Sequence, residues 1–175
     1  MGCEQASIQE RVDAKDFDLE SFIEEVTEGS TDADNPSQAV GIAKVTIEYN
    51  RKLLFECSNF FPSKSKYYES LYNSWASNDK VMIELINGYW SNGAGKELDS
   101  TQFLEKLTSE TYDFVLSKAK DHPNGFESAM QFYCNNHLEK IETGEYKNSS
   151  PKAYKMIEAR IKHLNKHQTS SSSQH

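Results

Sequence analysis

Residues 35–60 read NPSQAVGIAKVTIEYNRKLLFECSNF, and the fold turns on whether this stretch is one helix or a pair of strands. Asn35 is a good N-cap, Pro36 suits the first helical position, and Gln38 stands where a capping-box partner belongs. Ile42, Val45, Tyr49, Leu53 and Phe60 then fall on one face of a 3.6-residue period. The competing pattern is local. Val45, Ile47 and Tyr49 alternate with Thr46, Glu48 and Asn50, as in a strand. A hairpin over 45–57 would turn at Asn50 and Arg51 and return through Leu53 to Cys57. Asn-Arg is a poor two-residue turn and an isolated hairpin is marginal, so the stretch is read as a helix. Pro62 forbids its continuation.

Outward from this element the same periodicity recurs. A short helix is expected over about 17–27, with Leu19, Phe22, Ile23 and Val26 in one stripe and Gly29 as its stop. Another over about 64–76 carries Tyr68, Leu71, Tyr72 and Trp75, and one over about 79–91 carries Met82, Leu85, Ile86 and Tyr89. Asn92 to Gly95 reads as a loop. Asp99 can cap a helix, or a broken pair, reaching about 119 through Phe103, Leu107, Phe114 and Val115. After the turn His122-Pro123-Asn124-Gly125, Asn124 is expected to cap a helix to about 143 that buries Phe126, Ala129, Met130, Tyr133, His137 and Ile141. Gly144 ends it. A last helix after Pro151 buries Tyr154, Ile157, Ile161 and Leu164. These elements predict an all-α, single-domain bundle of six or seven helices, with α+β around a 45–57 hairpin as the alternative. The expected organisation is an acidic segment over 1–34, a helical domain over 35–167 and a disordered Ser-rich tail over 168–175.

The chain has 175 residues, enough for one core without metals or bridges, and 9 Tyr, 9 Phe and 2 Trp to fill it. The net charge of −8 is uneven. Residues 1–34 hold eleven acids against Arg11 and Lys15, which leaves the remainder near +1. From Lys140 onward seven Lys or Arg face three Glu. The acidic segment is read as a solvated arm, or as one lying against the basic last helix or facing a basic partner. Acidic chains repel phosphate backbones, which argues against a nucleic-acid partner.

The three cysteines are Cys3, Cys57 and Cys134, an odd and widely spaced set that is neither a disulfide framework nor a zinc site. Cys57 and Cys134 are expected as small buried thiols in a reducing, cytoplasmic compartment, or as one bridge if the protein is exported. Met1-Gly2-Cys3 resembles the start of dually acylated proteins, which implies lipid on Gly2 and Cys3 and a membrane-peripheral protein, although Ala6 stands where that motif has Ser or Thr. A bacterial lipoprotein lipidated on Cys3 is the other form of this reading.

Side chains with chemical potential are few. His163 and His167 are spaced as helical zinc ligands, but the wheel turns them to solvent and no third ligand is identifiable. Gly93-Ala94-Gly95-Lys96 lacks the preceding strand and the Ser or Thr of a phosphate loop. His137 sits on an apolar face, where burial lowers its pKa, and together with Tyr133, Trp75 and Trp90 it marks a speculative ligand pocket. Asn148-Ser149-Ser150 is a formal glycosylation acceptor. No catalytic residue, metal site or cofactor motif is assigned. The expected function is a non-catalytic protein-interaction module, such as an acidic inhibitor or immunity-type protein covering a basic partner. A lipid-anchored protein and a small-ligand sensor near His137 are the alternatives.

Overall fold

A computed structural model of the chain describes residues 32–92 and 98–171. The expected helix over 17–27, the acylation candidates Gly2 and Cys3, the loop at 93–95 and the end of the tail lie outside the described residues. The fold is all-α. Among the described residues there are six α-helices and no strand: α1 Pro36–Phe60, α2 Ser65–Asn78, α3 Lys80–Asn92, α4 Leu98–Lys120, α5 Phe126–Thr143 and α6 Pro151–Ser171. Short 3₁₀ turns occupy Pro62–Lys64 and Glu145–Ser149.

The decisive stretch is one helix, and the 45–57 hairpin does not form. Its start is the capping box read from the sequence. The Gln38 N–H donates to Asn35 Oδ1 at 3.0 Å, and the Asn35 N–H returns to Gln38 Oε1 at 3.3 Å. The alternation at 45–50 is absorbed because the seam runs through Ala39, Ala43, Ile47, Asn50, Leu53 and Cys57, all buried. Phe60, expected on that face, is exposed.

The described residues form two compact units. Among the described residues the first comprises 32–44, 80–92 and 149–171. Here α3 packs on α6, with Met82, Leu85, Ile86 and Tyr89 buried as expected and Trp90 with them. On α6 Ala153, Tyr154 and Ile157 are buried, whereas Ile161 and Leu164 are only half-buried. The first turn of α6 is capped from far away in sequence. Asp32 accepts from the N–H groups of Lys152 at 2.9 Å and Ala153 at 3.0 Å, and Lys152 Nζ pairs with Asp34 at 3.3 Å. Burial pulls the Asp32 pKa upward, but these N–H groups, that of Ala33 and the Lys152 charge outweigh it and hold the carboxyl below its ordinary value. Replacing Asp32 by Asn is therefore expected to speed amide exchange at Lys152 and Ala153 while leaving α3 amides unchanged, a contrast readable by NMR.

Among the described residues the second unit comprises 45–79 and 98–148. Its α5 packs on both α2 and α4. Tyr68 and Trp75 of α2 are fully buried, and the apolar area of their rings is removed from water. Three hydrogen bonds edge the α2–α5 seam: Tyr67 to Glu139 at 2.7 Å, Tyr68 to Asn135 at 3.1 Å and Ser74 to Glu142 at 3.1 Å. Two sequence expectations are corrected here. Asn124 is not the cap of α5; Gly125 occupies that position at φ 86°, and the Asn124 N–H instead donates to His122 Nδ1 at 3.2 Å. Phe114 is not core either, because Leu104, Thr108, Tyr112 and Ala119 take the inner face of α4. Gly144 ends α5 in the left-handed region at φ 81°, as its position foretold.

The second unit also holds a Cys57–Cys134 disulfide, with the two Cα atoms 5.9 Å apart and the cysteines 77 positions apart in sequence. The expectation of two free buried thiols is thus corrected. Both cysteines lie on the inner faces of α1 and α5, which brings them within bonding distance.

Candidate functional site

Two places in the structure collect polar side chains against apolar walls. One surrounds His137 in the second unit. Its Nε2 lies 3.1 Å from Asn50 Oδ1, and the Tyr133 ring stacks on the imidazole at 5.8 Å. The Tyr49 ring meets the imidazole edge-on at 5.5 Å, and the Tyr49 and Tyr133 hydroxyls are hydrogen-bonded to each other. Buried Cys134 and Leu138 occupy the centre of the α5 face, so Tyr133 and His137, read as core, are half-buried at its flank.

The electrostatics of this cluster are those of neutral groups. Burial, helped by the Lys140 charge, lowers the His137 pKa to about 4. Burial and the Tyr133 hydroxyl push Tyr49 far above the ordinary tyrosine range, and burial also raises Tyr133. Tyr112 is pushed up to about 12 by burial, with Glu56 and Tyr133 adding to it. At neutral pH the set therefore contains an uncharged imidazole and uncharged phenols. With His137 neutral, the bond to Asn50 Oδ1 places the proton on Nε2. Asn50 Nδ2 and Tyr112 Oη have no hydrogen-bond partner among the described residues, a cost of burial in this corner.

The four residues expected to share a pocket are distributed. Tyr133 and His137 touch. Trp75 packs instead against Tyr72 at 5.2 Å and Tyr146 at 6.2 Å, and Trp90 belongs to the first unit. His163 is exposed, as the wheel placed it, and Asn148 of the glycosylation acceptor is exposed too. Among the described residues no three His, Cys, Asp or Glu side chains are grouped to hold a metal ion.

The second place lies in the first unit and was not anticipated. A cavity of about 450 Å³ opens between the start of α1, the middle of α3 and α6. Val40, Leu85, Ile86, Met156 and Ile157 give it apolar walls, and Arg160 supplies a cation. Arg160 is oriented by its Nε–H, which donates to Tyr89 Oη at 2.8 Å. The volume falls within the roughly 300–1,000 Å³ of ligand-sized cavities. Its lining comes from three segments far apart in sequence. The one hint in the sequence was Arg160 between Ile157 and Ile161 on an otherwise apolar stripe.

The second unit also displays large aromatic side chains. Phe55, Phe114 and Phe132, on α1, α4 and α5, are 64%, 63% and 71% exposed. Lys118 Nζ lies 5.3 Å from the Phe114 ring centroid.

No protein-family model matches the chain, nor does any curated protein or solved structure. Among the described residues no helix is long and apolar enough to cross a membrane.

Proposed function

We propose that this chain is a non-catalytic protein-interaction module that engages a basic partner in an oxidising compartment. The observation that carries the reading is the exposure of Phe55, Phe114 and Phe132, the three most exposed of the large apolar side chains that the second unit displays, beside the less exposed Phe60 and Tyr67. Exposed phenylalanine costs solubility and is characteristic of contact surfaces, where aromatic anchors supply most of the binding energy. The eleven acids of residues 1–34 give the sign of the preferred partner, and attraction of that kind speeds encounter. The Cys57–Cys134 bridge supports the compartment, since such bonds persist where thiols are not kept reduced. The neutral, hydrogen-bonded state of the His137 cluster supports a structural role for it.

The test is capture of binding partners by the wild-type chain and by a Phe55→Ser, Phe114→Ser, Phe132→Ser variant, at about 50 mM and about 500 mM salt. The variant is expected to keep its unfolding midpoint, because surface substitutions stay near ±0.5 kcal/mol each, and to lose at least about tenfold in affinity. Wild-type capture is expected to weaken at high salt. Equal capture by variant and wild type would remove the aromatic surface from the proposal, and salt-independent capture would remove the charge.

The bridge also favours a second reading, in which an exported chain carries lipid on Cys3. The intact mass of native protein decides it. An unmodified Cys3 ends that reading.

A further inference from the structure

We propose that the seam between α1 and α5 is an acid-gated lock on the Cys57–Cys134 bridge: protonation of His137 parts the two helices locally and admits a reductant to the sulfurs, while α2 stays packed on α5. The device lies within the second unit and needs no partner, so it stands or falls separately from the interaction reading above.

A run of cross-links follows the seam. Phe60 meets Phe126 with ring centroids 5.8 Å apart, Cys57 is bonded to Cys134, Tyr49 is hydrogen-bonded to Tyr133, and Asn50 Oδ1 lies 3.1 Å from His137 Nε2. From Phe60 through Cys57 to Asn50 the α1 positions fall, while their α5 partners rise from Phe126 through Cys134 to His137, so the helices run antiparallel here. His137 stands three residues beyond Cys134, about 5 Å along the helix axis. Cys57, Cys134, Leu53 and Leu138 are fully buried, so a reductant meets the sulfurs only when the seam opens. Each helix is stiff, and a separation at His137 therefore reaches the bond one turn away, with the bond itself as pivot. The α2–α5 seam is held by Tyr67 to Glu139, Tyr68 to Asn135 and Ser74 to Glu142, and none of these bonds uses an α1 group.

The closed seam is poorly furnished for a charge. Tyr49 and Asn50 of α1 face the imidazole, as does Tyr133 of α5, and the Lys140 cation acts on it from one turn along. From α4, Tyr112 is coupled to Tyr133, with Asp113 and Glu56 acting on its phenol. The carboxylates of these elements are engaged elsewhere: Glu48 pairs with Arg51 and Glu56 with Lys52 on α1, and Glu139 and Glu142 of α5 accept from α2. A proton added at Nδ1 thus meets burial and the Lys140 cation, and the ring takes it up readily only once water reaches it. Opening also hydrates two groups that have no hydrogen-bond partner among the described residues, Asn50 Nδ2 and Tyr112 Oη. Acid therefore favours the open seam over the closed one.

The experiment follows reduction of the full oxidised chain by the trialkylphosphine TCEP, with new thiols labelled and counted by mass. The phosphine gives two electrons to the bridge and ends as its oxide, and one water supplies that oxygen and the two thiol protons. Oxidised glutathione, reduced alongside, corrects for the reagent's own pH response. The corrected wild-type rate is expected to rise at least about tenfold from about pH 7 to about pH 5. His137→Gln is expected to change by less than about twofold, with amide protection at Tyr68 and Trp75 as its control for folding. Low urea is expected to accelerate wild-type reduction far less steeply than it promotes global unfolding, because only the seam opens. A wild-type rate that ignores pH, or an equal rise in a folded His137→Gln chain, overturns the proposal. A urea slope as steep as that of global unfolding also overturns it, since the bridge is then exposed only when the whole unit unfolds. The wild-type arms need no variant, so the proposal can fail even if His137→Gln does not fold.

Discussion

Replacing Cys57 and Cys134 by alanine is expected to lower the unfolding free energy by about 4 kcal/mol. The bridge spans 77 residues, more than half of the second unit's sequence range, and joins α1 to α5. Without it the unfolded chain regains the conformational freedom of a long open loop, while the folded state loses only one buried bond. Both sulfurs belong to fully buried residues, so a reductant acts slowly on the native protein and quickly once the unit opens. Denaturant titration with and without reductant measures the effect. The reduced and the double-alanine chains should share a lowered midpoint and a steeper dependence on denaturant, because their unfolded states are more expanded. Thiol counting under denaturing conditions provides the independent check, with two further thiols appearing on reduction. Midpoints that coincide with and without reductant would show that the bridge contributes nothing to stability.

The second large effect is a dependence of stability on pH through His137. In the fold its pKa is about 4, against an ordinary 6.5 in the unfolded chain. Below pH 6.5 the unfolded chain takes up a proton that the folded chain refuses, so stability falls as the pH drops from about 6.5 to about 4 and then levels off for this group. The shift corresponds to a loss on the order of 3 kcal/mol over that window. His137→Gln removes the titration and keeps a side chain able to reach Asn50, so its stability should fall less steeply than that of the wild type over this window. Asp32 acts in a separate, more acidic window. Its depressed pKa means that its contribution is present above the ordinary aspartate value and is lost only as the pH falls through the lowered one. Urea midpoints for the wild type and His137→Gln between pH 4 and pH 7 read the difference, and parallel curves would place the titration elsewhere.

His137 was legible in the sequence as a histidine whose pKa burial would lower, but its partners were not. Asn50 lies 87 residues away on α1, in the stretch where the strand-like alternation competed with the helix, and Tyr49 beside it supplies the second ring. The same distance in sequence concealed the disulfide. Nothing in the spacing of Cys57 and Cys134 says whether two helices will bring them together. Phe114 was misplaced for a related reason. α4 offers apolar residues on more than one side, and only packing against α5 decided that Leu104, Thr108, Tyr112 and Ala119 face inward. Asn124 lost its capping role to Gly125 because a backbone with positive φ suits glycine there.

What the amino-acid order determined alone, among the described residues, was the helices and most of their ends. Caps, prolines and periodicity act over three or four residues, and Asn35, Gln38, Pro62 and Gly144 did their work without reference to distant parts of the chain. The tertiary structure alone decided which flank of each apolar face became core, that Cys57 and Cys134 pair, and that a cavity with Arg160 on its wall lies between α1, α3 and α6. Those outcomes depend on contacts between residues dozens of positions apart, whose free energy is set by what each helix meets and not by the helix itself.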